Sequence, residues 1–147
     1  MYETQLLKIK IRPGKTEQVV EFIRSLRQRE EKSLDVMRRE DIVAESIFLE
    51  RQAEGDYLYY YVKAQSLMRS NEINMQSTDA MTLEIRRFVN ETWGHIVSPE
   101  LLLDFDLIHE VGEVGFKSDG DTGKTGRIRR KAKAVPASSP APHALAG

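Results

Sequence analysis

Five residues near the start of the chain, Leu7-Lys8-Ile9-Lys10-Ile11, alternate strictly between apolar and cationic side chains. A period of two fits a strand with one packed and one wet face, and no helix can present it. The fold must therefore contain a sheet covered on one side, which favours antiparallel pairing. Arg12-Pro13-Gly14-Lys15 closes the strand, because proline cannot donate to a ladder and glycine permits the turn.

The spacing after this turn predicts a helix capped by Thr16. Val19, Phe22, Ile23, Leu26, Leu34 and Met37 form its apolar stripe. Residues 27–33 are polar and bring Glu30 onto that stripe, so either the helix bends there or Glu30 sits at its edge; the edge is the favoured reading. Residues 42–51 are rich in strand formers, Glu54-Gly55-Asp56 makes a hairpin turn, and residues 57–64, YLYYYVKA, return as a strand. Ser66 opens a broken helical region. Its best part runs from Thr78 with Met81, Ile85, Phe88, Val89 and either Thr92 or Trp93 on one face, Trp93 read as core, and Gly94 as its stop. Residues 101–107 predict the last strand, with Leu101, Leu103, Phe105 and Leu107 inward and Leu102, Asp104 and Asp106 outward. The expected class is α+β with the order β-α-β-β-α-β. This is the ferredoxin-like arrangement, a four-stranded antiparallel sheet with two helices on one face.

Charge divides the chain. Residues 117–147 hold seven Lys/Arg and two Asp, a net +5, which leaves residues 1–116 at −6. The expectation is one domain over 1–116 and a disordered, basic Ala/Pro/Gly-rich tail over 117–147, whose apolar residues are too isolated to offset ordering entropy. An acidic body does not grip phosphates, so nucleic acid could bind only through the tail, at Arg127, Arg129, Arg130 and Lys131. That run has no aromatic residues for stacking, and a solubilising extension is the simpler reading. Gly120-Asp121-Thr122-Gly123-Lys124-Thr125 imitates a phosphate loop but has Ser118 where the first glycine belongs.

The sequence has no cysteine, which excludes thiolate zinc sites, iron–sulfur clusters and cysteine nucleophiles. The three histidines are not spaced as ligands, so no metal and no cofactor is expected. Residues 1–10 carry charge where a signal peptide is apolar, and no run approaches a membrane span. The expected location is the cytoplasm.

Four segments together resemble a known family. They are Ile11-Arg12-Pro13-Gly14-Lys15, Glu45-Ser46-Ile47-Phe48-Leu49-Glu50, Tyr57-Leu58-Tyr59-Tyr60-Tyr61 and Leu103-Asp104-Phe105. In order and spacing they resemble a ferredoxin-like domain of unknown function, number 6176, over about residues 5–108. Asp41 stands where that family more often has a turn glycine. The family is in turn distantly similar to dimeric α/β-barrel proteins, which include cofactor-free monooxygenases, sugar mutarotases and non-catalytic binding modules. That resemblance implies a fold and a possible homodimer; it implies no activity.

Alternation places Lys8, Lys10, Tyr57, Tyr59, Tyr61, Lys63, Asp104 and Asp106 on the face turned away from the helices. Lys8 and Lys10 are expected between a tyrosine row and an aspartate pair. The candidate pocket is therefore Lys8, Lys10, Tyr59, Tyr61 and Asp104. Two functions fit it. The favoured one is a homodimeric binding or interaction module, with a small-molecule ligand possible. The alternative is a cofactor-free dimeric α/β-barrel enzyme acting on a small aromatic or sugar-like molecule. There Tyr59 and Tyr61 would donate hydrogen bonds, Lys8 or Lys10 would stabilise negative charge, and Asp104 would accept a proton. The faces of Glu45 and Glu50 stay open, because their strand is apolar at both phases.

Overall fold

The computed structural model describes residues 1–108. The tail, with Arg127, Arg129, Arg130 and Lys131, lies outside the described residues. Eight elements follow in order: β1 (Glu3–Ile11), α1 (Thr16–Gln28), α2 (Glu30–Arg39), β2 (Ile42–Glu50), β3 (Tyr57–Ala64), α3 (Leu67–Gln76), α4 (Ala80–Thr92) and β4 (Trp93–Val97). The strands lie in the order β2-β3-β1-β4, every pair antiparallel. This is the expected ferredoxin-like sheet, with the first strand between the third and the fourth.

The core is the packed face of the alternating strands. Leu7, Ile9, Ile11 and Leu58 meet Val19 of α1, Phe88 and Val89 of α4, and Trp93. Phe22 and Phe88 stack with ring centroids 4.0 Å apart, which joins α1 to α4 over the sheet. Trp93 is core, as its position in the sequence predicts.

Both expected helices are broken pairs. The first breaks at Arg29, whose backbone leaves helical geometry at φ −107°, ψ 43°. Here the bend, and not an edge position for Glu30, resolves the polar stretch. The break is well satisfied. The Arg29 N–H reaches the carbonyls of Ser25 and Leu26, the Ser33 hydroxyl donates to the carbonyls of Leu26 and Arg29, and the Arg29 guanidinium makes two bonds to Glu84 of α4 at 2.8 and 2.9 Å. It also resets the helical phase, so that Val36 becomes the buried residue of α2 while Leu34 and Met37 stay half-buried. Thr16 does not cap α1 with its side chain; its hydroxyl donates instead to Asp56 at 2.6 Å, tying the helix start to the β2–β3 turn.

The last strand is the main correction. Residues 101–107 form no strand, and Leu102, Leu103, Phe105 and Leu107 are exposed. The slot beside β1 is taken by β4, which starts directly where α4 ends, and Gly94 lies inside this strand and does not stop the helix. An alternating run states which of its sides is apolar. It does not state which edge the chain can reach, and α4 delivers Trp93 to that edge first.

Asp41 has φ 55°, the left-handed geometry that ends α2 before β2. A turn glycine serves the same need, so the departure at this position is one of cost and not of conformation. Asp41→Gly is expected to leave stability within about 1 kcal/mol of the parent or above it. Asp41→Val should lose about 1–2 kcal/mol, because a β-branched side chain meets the following carbonyl there. Urea-unfolding midpoints of the two variants check this; equal midpoints would refute it.

Candidate functional site

On the face away from the helices the register assembles four cross-strand rows. They are Ala44–Lys63–Thr4, Ser46–Tyr61–Leu6, Phe48–Tyr59–Lys8–Val97 and Glu50–Tyr57–Lys10. Lys8, Lys10, Tyr59 and Tyr61 thus share one face. Asp104 lies in the segment that forms no strand, and the neighbour of Lys8 on β4 is Val97. The register also separates two residues that alternation left open. Glu50 stands opposite Tyr57 on this face, and Glu45 stands opposite Val62 on the helix side.

The polar groups of the face are mutually engaged. The Tyr59 hydroxyl donates to Glu50 at 2.9 Å, and the Lys8 ammonium lies 4.6 Å from the centre of the Tyr57 ring. Hydrogen bonds from Gln52 and Tyr59, with the field of Lys8, hold the Glu50 carboxyl below its ordinary value. The bond to Glu50 raises the Tyr59 phenol correspondingly. A hydroxyl held in its neutral form by a carboxylate suits recognition better than proton transfer. The apolar part is large: Phe48 is 60 % exposed and Val97 46 %, while Tyr57, Tyr59 and Tyr61 are half-buried. Two concavities are described, and both lie elsewhere. One, of about 280 Å³, is lined by Tyr2, Arg38, Asp41, Ile42, Val43 and Gln65; the other, of about 140 Å³, lies between α1 and α4.

With this geometry fixed, comparison with known proteins is informative at one level. Residues 2–110 match the model of a family of unknown function, DUF6176. The chain belongs to that family. No curated protein matches it. Within this DUF6176 domain no group of three or more His, Asp or Glu could hold a metal among the described residues, and no described helix is long and apolar enough to cross a membrane.

A second polar group in the DUF6176 domain escaped sequence reasoning. Glu40, which ends α2, is buried, and its carboxylate accepts from Asn74 of α3 at 2.9 Å. The Ser70 hydroxyl, also on α3, donates to the Glu40 carbonyl. Arg86 of α4 donates to the carbonyls of Asn74 and Ser77. Burial raises the Glu40 carboxyl against the opposing pull of Asn74, Arg39 and Arg86. Glu45, although at the sheet edge, is raised to about 7 by packed atoms around its carboxyl and by the Glu40 charge. The Tyr60 phenol is pushed up by burial and by both carboxylates. Burial of a polar residue leaves no periodic signal when it ends a helix, as Glu40 does. The strand phase of Glu45 needs the hairpin register. Only the polar spacing of Ser70 and Asn74, one turn apart on α3, hints at the cluster.

Proposed function

We propose that this protein is an interaction module that works as a homodimer, two copies packing through the sheet faces opposite the helices. The row Phe48–Tyr59–Lys8–Val97 carries the proposal. It sets an aromatic ring 60 % exposed beside a tyrosine and an aliphatic lysine stem on a rigid sheet, which is the composition of an interface centre. Charge supports a second copy as the occupant. In the row Glu50–Tyr57–Lys10 the anion lies on β2 and the cation on β1, one on either side of β3. A two-fold axis running along β3 would bring Lys10 of each copy over Glu50 of the other, so the face complements itself.

A cofactor-free enzyme of the α/β-barrel kind requires Tyr59, Tyr61, Lys10 and Asp104 around one concavity. Neither described concavity includes Tyr59, Tyr61 or Lys10, so the module is the better reading.

Light scattering of the full chain at micromolar concentration should give twice the 16.9 kDa chain mass. Phe48→Asp should weaken the association about thirtyfold or more, the loss expected of an interface anchor, while leaving the far-ultraviolet dichroism unchanged. A parent chain that scatters as a monomer at 100 μM would end the proposal.

A further inference from the structure

Residues 101–107 carry much of the pattern of a strand and form none. Leu102, Leu103, Phe105 and Leu107 are between 66 and 81 % exposed, so this short run leaves four large apolar side chains in water. Single apolar residues scattered over a surface need no explanation, but a contiguous group marks a contact surface.

The sheet has two outer edges, β4 and β2. β4 has five residues, contains Gly94 and runs into Ser98-Pro99, so it is a short edge ill suited to further pairing. β2 is nine residues long and has no proline, glycine or lysine to guard its outer side. Its one irregularity lies between Ile42 and Ala44, and from Ala44 to Glu50 seven consecutive residues pair in register with β3. Every second residue of that stretch turns its N–H and C=O away from β3, and no described strand receives them.

Leu101 cannot start a strand on this edge within its own sheet. It follows Val97, the end of β4, by four residues, a reach of at most ~14 Å. A position beyond β2 lies four strand spacings from β4, or ~19 Å. A second copy has no such limit.

We propose that residues 101–107 are an exchanged arm, which adds as a fifth strand to Ala44–Glu50 of a second copy while that copy's arm does the same in return. The inference rests on the homodimer proposed above and gives it a second contact. Seven residues meet seven. Reciprocal exchange about a two-fold axis is closed, so it makes dimers and not filaments. Main-chain hydrogen bonds supply the pairing, and the two sides of the arm set its facing. Leu101, Leu103, Phe105 and Leu107 extend the face that carries Ala44, Ser46 and Phe48, which continues the apolar centre of the dimer. Leu102, Asp104 and Asp106 then fall on the side of Glu45. Like charges on neighbouring exposed strands cost less there than burying one leucine side chain gains.

The chain has no cysteine, so introduced thiols report without ambiguity. Full-length Glu45→Cys chains, isotope-labelled, are mixed with Asp104→Cys chains and treated with a short bismaleimide. Mixed cross-linked dimers should exceed both like-with-like products; a mixed product no more abundant than these overturns the arm. The double variant Glu45→Cys/Asp104→Cys, diluted into excess parent chain, should lose its links. A link within one chain that survives dilution also overturns the exchange. Light scattering separates the arm from the sheet face. Phe105→Asp should weaken association about tenfold or more, with far-ultraviolet dichroism unchanged. If Phe48→Asp dissociates the dimer and Phe105→Asp does not, the arm fails and the sheet-face reading stands. If only Phe105→Asp acts, the arm stands and the sheet-face reading fails. A monomeric parent chain ends both.

Discussion

Phe88→Ala is expected to destabilise the domain by about 3–5 kcal/mol, the range for removing a buried aromatic ring. Phe88 is 6 % exposed and stacks on Phe22 at 4.0 Å, and it belongs to the cluster formed by Ile9, Leu58, Val19 and Val89. The cavity would open where α1 and α4 meet, over the central strands, a place that neither helix can fill without leaving its own contacts. Since single domains hold only about 5–15 kcal/mol in all, the loss should be plain in a urea titration. Phe48→Ala provides the control. It removes the same ring from a position 60 % exposed, and in dilute protein it should change stability by less than about 0.5 kcal/mol. Equal effects at the two positions would mean that the assignment of sheet faces is wrong.

Gly94→Val should be the second most damaging change, at about 2–3 kcal/mol, with Gly94→Ala in the same direction and smaller. A Cβ placed on Gly94 would lie 2.8 Å from the main-chain oxygen of Lys10. That atom cannot withdraw, because Lys10 belongs to a central strand paired with Tyr57 on its other side. The close approach coincides with the shift of register between Ile9 and Ile11, where β4 crosses from α4 onto β1. The five-residue β4 should detach or slide in the variant, and amide chemical shifts of Lys10 and Ile96 would report it. A Gly94→Ala domain as stable as the parent, with those shifts unmoved, would show that the contact carries no constraint.

The glycine is also a measure of what can be read from letters alone. Placed after an amphipathic helix, Gly94 has the position of a helix stop, and its local context supports that meaning. Its actual role depends on a carbonyl more than eighty residues earlier in the chain. Residues 101–107 show the same limit from the other side, since most of them alternate as β1 does, yet β1 pairs with two strands and they form none. Asp104 is on no strand for this reason, while Lys8, Lys10, Tyr59 and Tyr61 share one face because they sit on strands whose partners the hairpin and the fold order already define.

What the sequence by itself determined is whatever depends on the nearest few residues. That includes the strand β1 and its wet lysine edge, the hairpin and the tyrosine face of β3, the apolar stripes of α1 and α4, and the α+β class that their order dictates. The tertiary structure decided the rest. It broke the first helix at Arg29, set β4 and not residues 101–107 beside β1, brought Phe48 and Val97 into one row with Tyr59 and Lys8, and buried Glu40 under Ser70 and Asn74. The physical reason is one of range. Periodicity and turn chemistry act within a turn or a hairpin, whereas edge choice, register and burial of a polar group are settled by competition among surfaces distant in sequence.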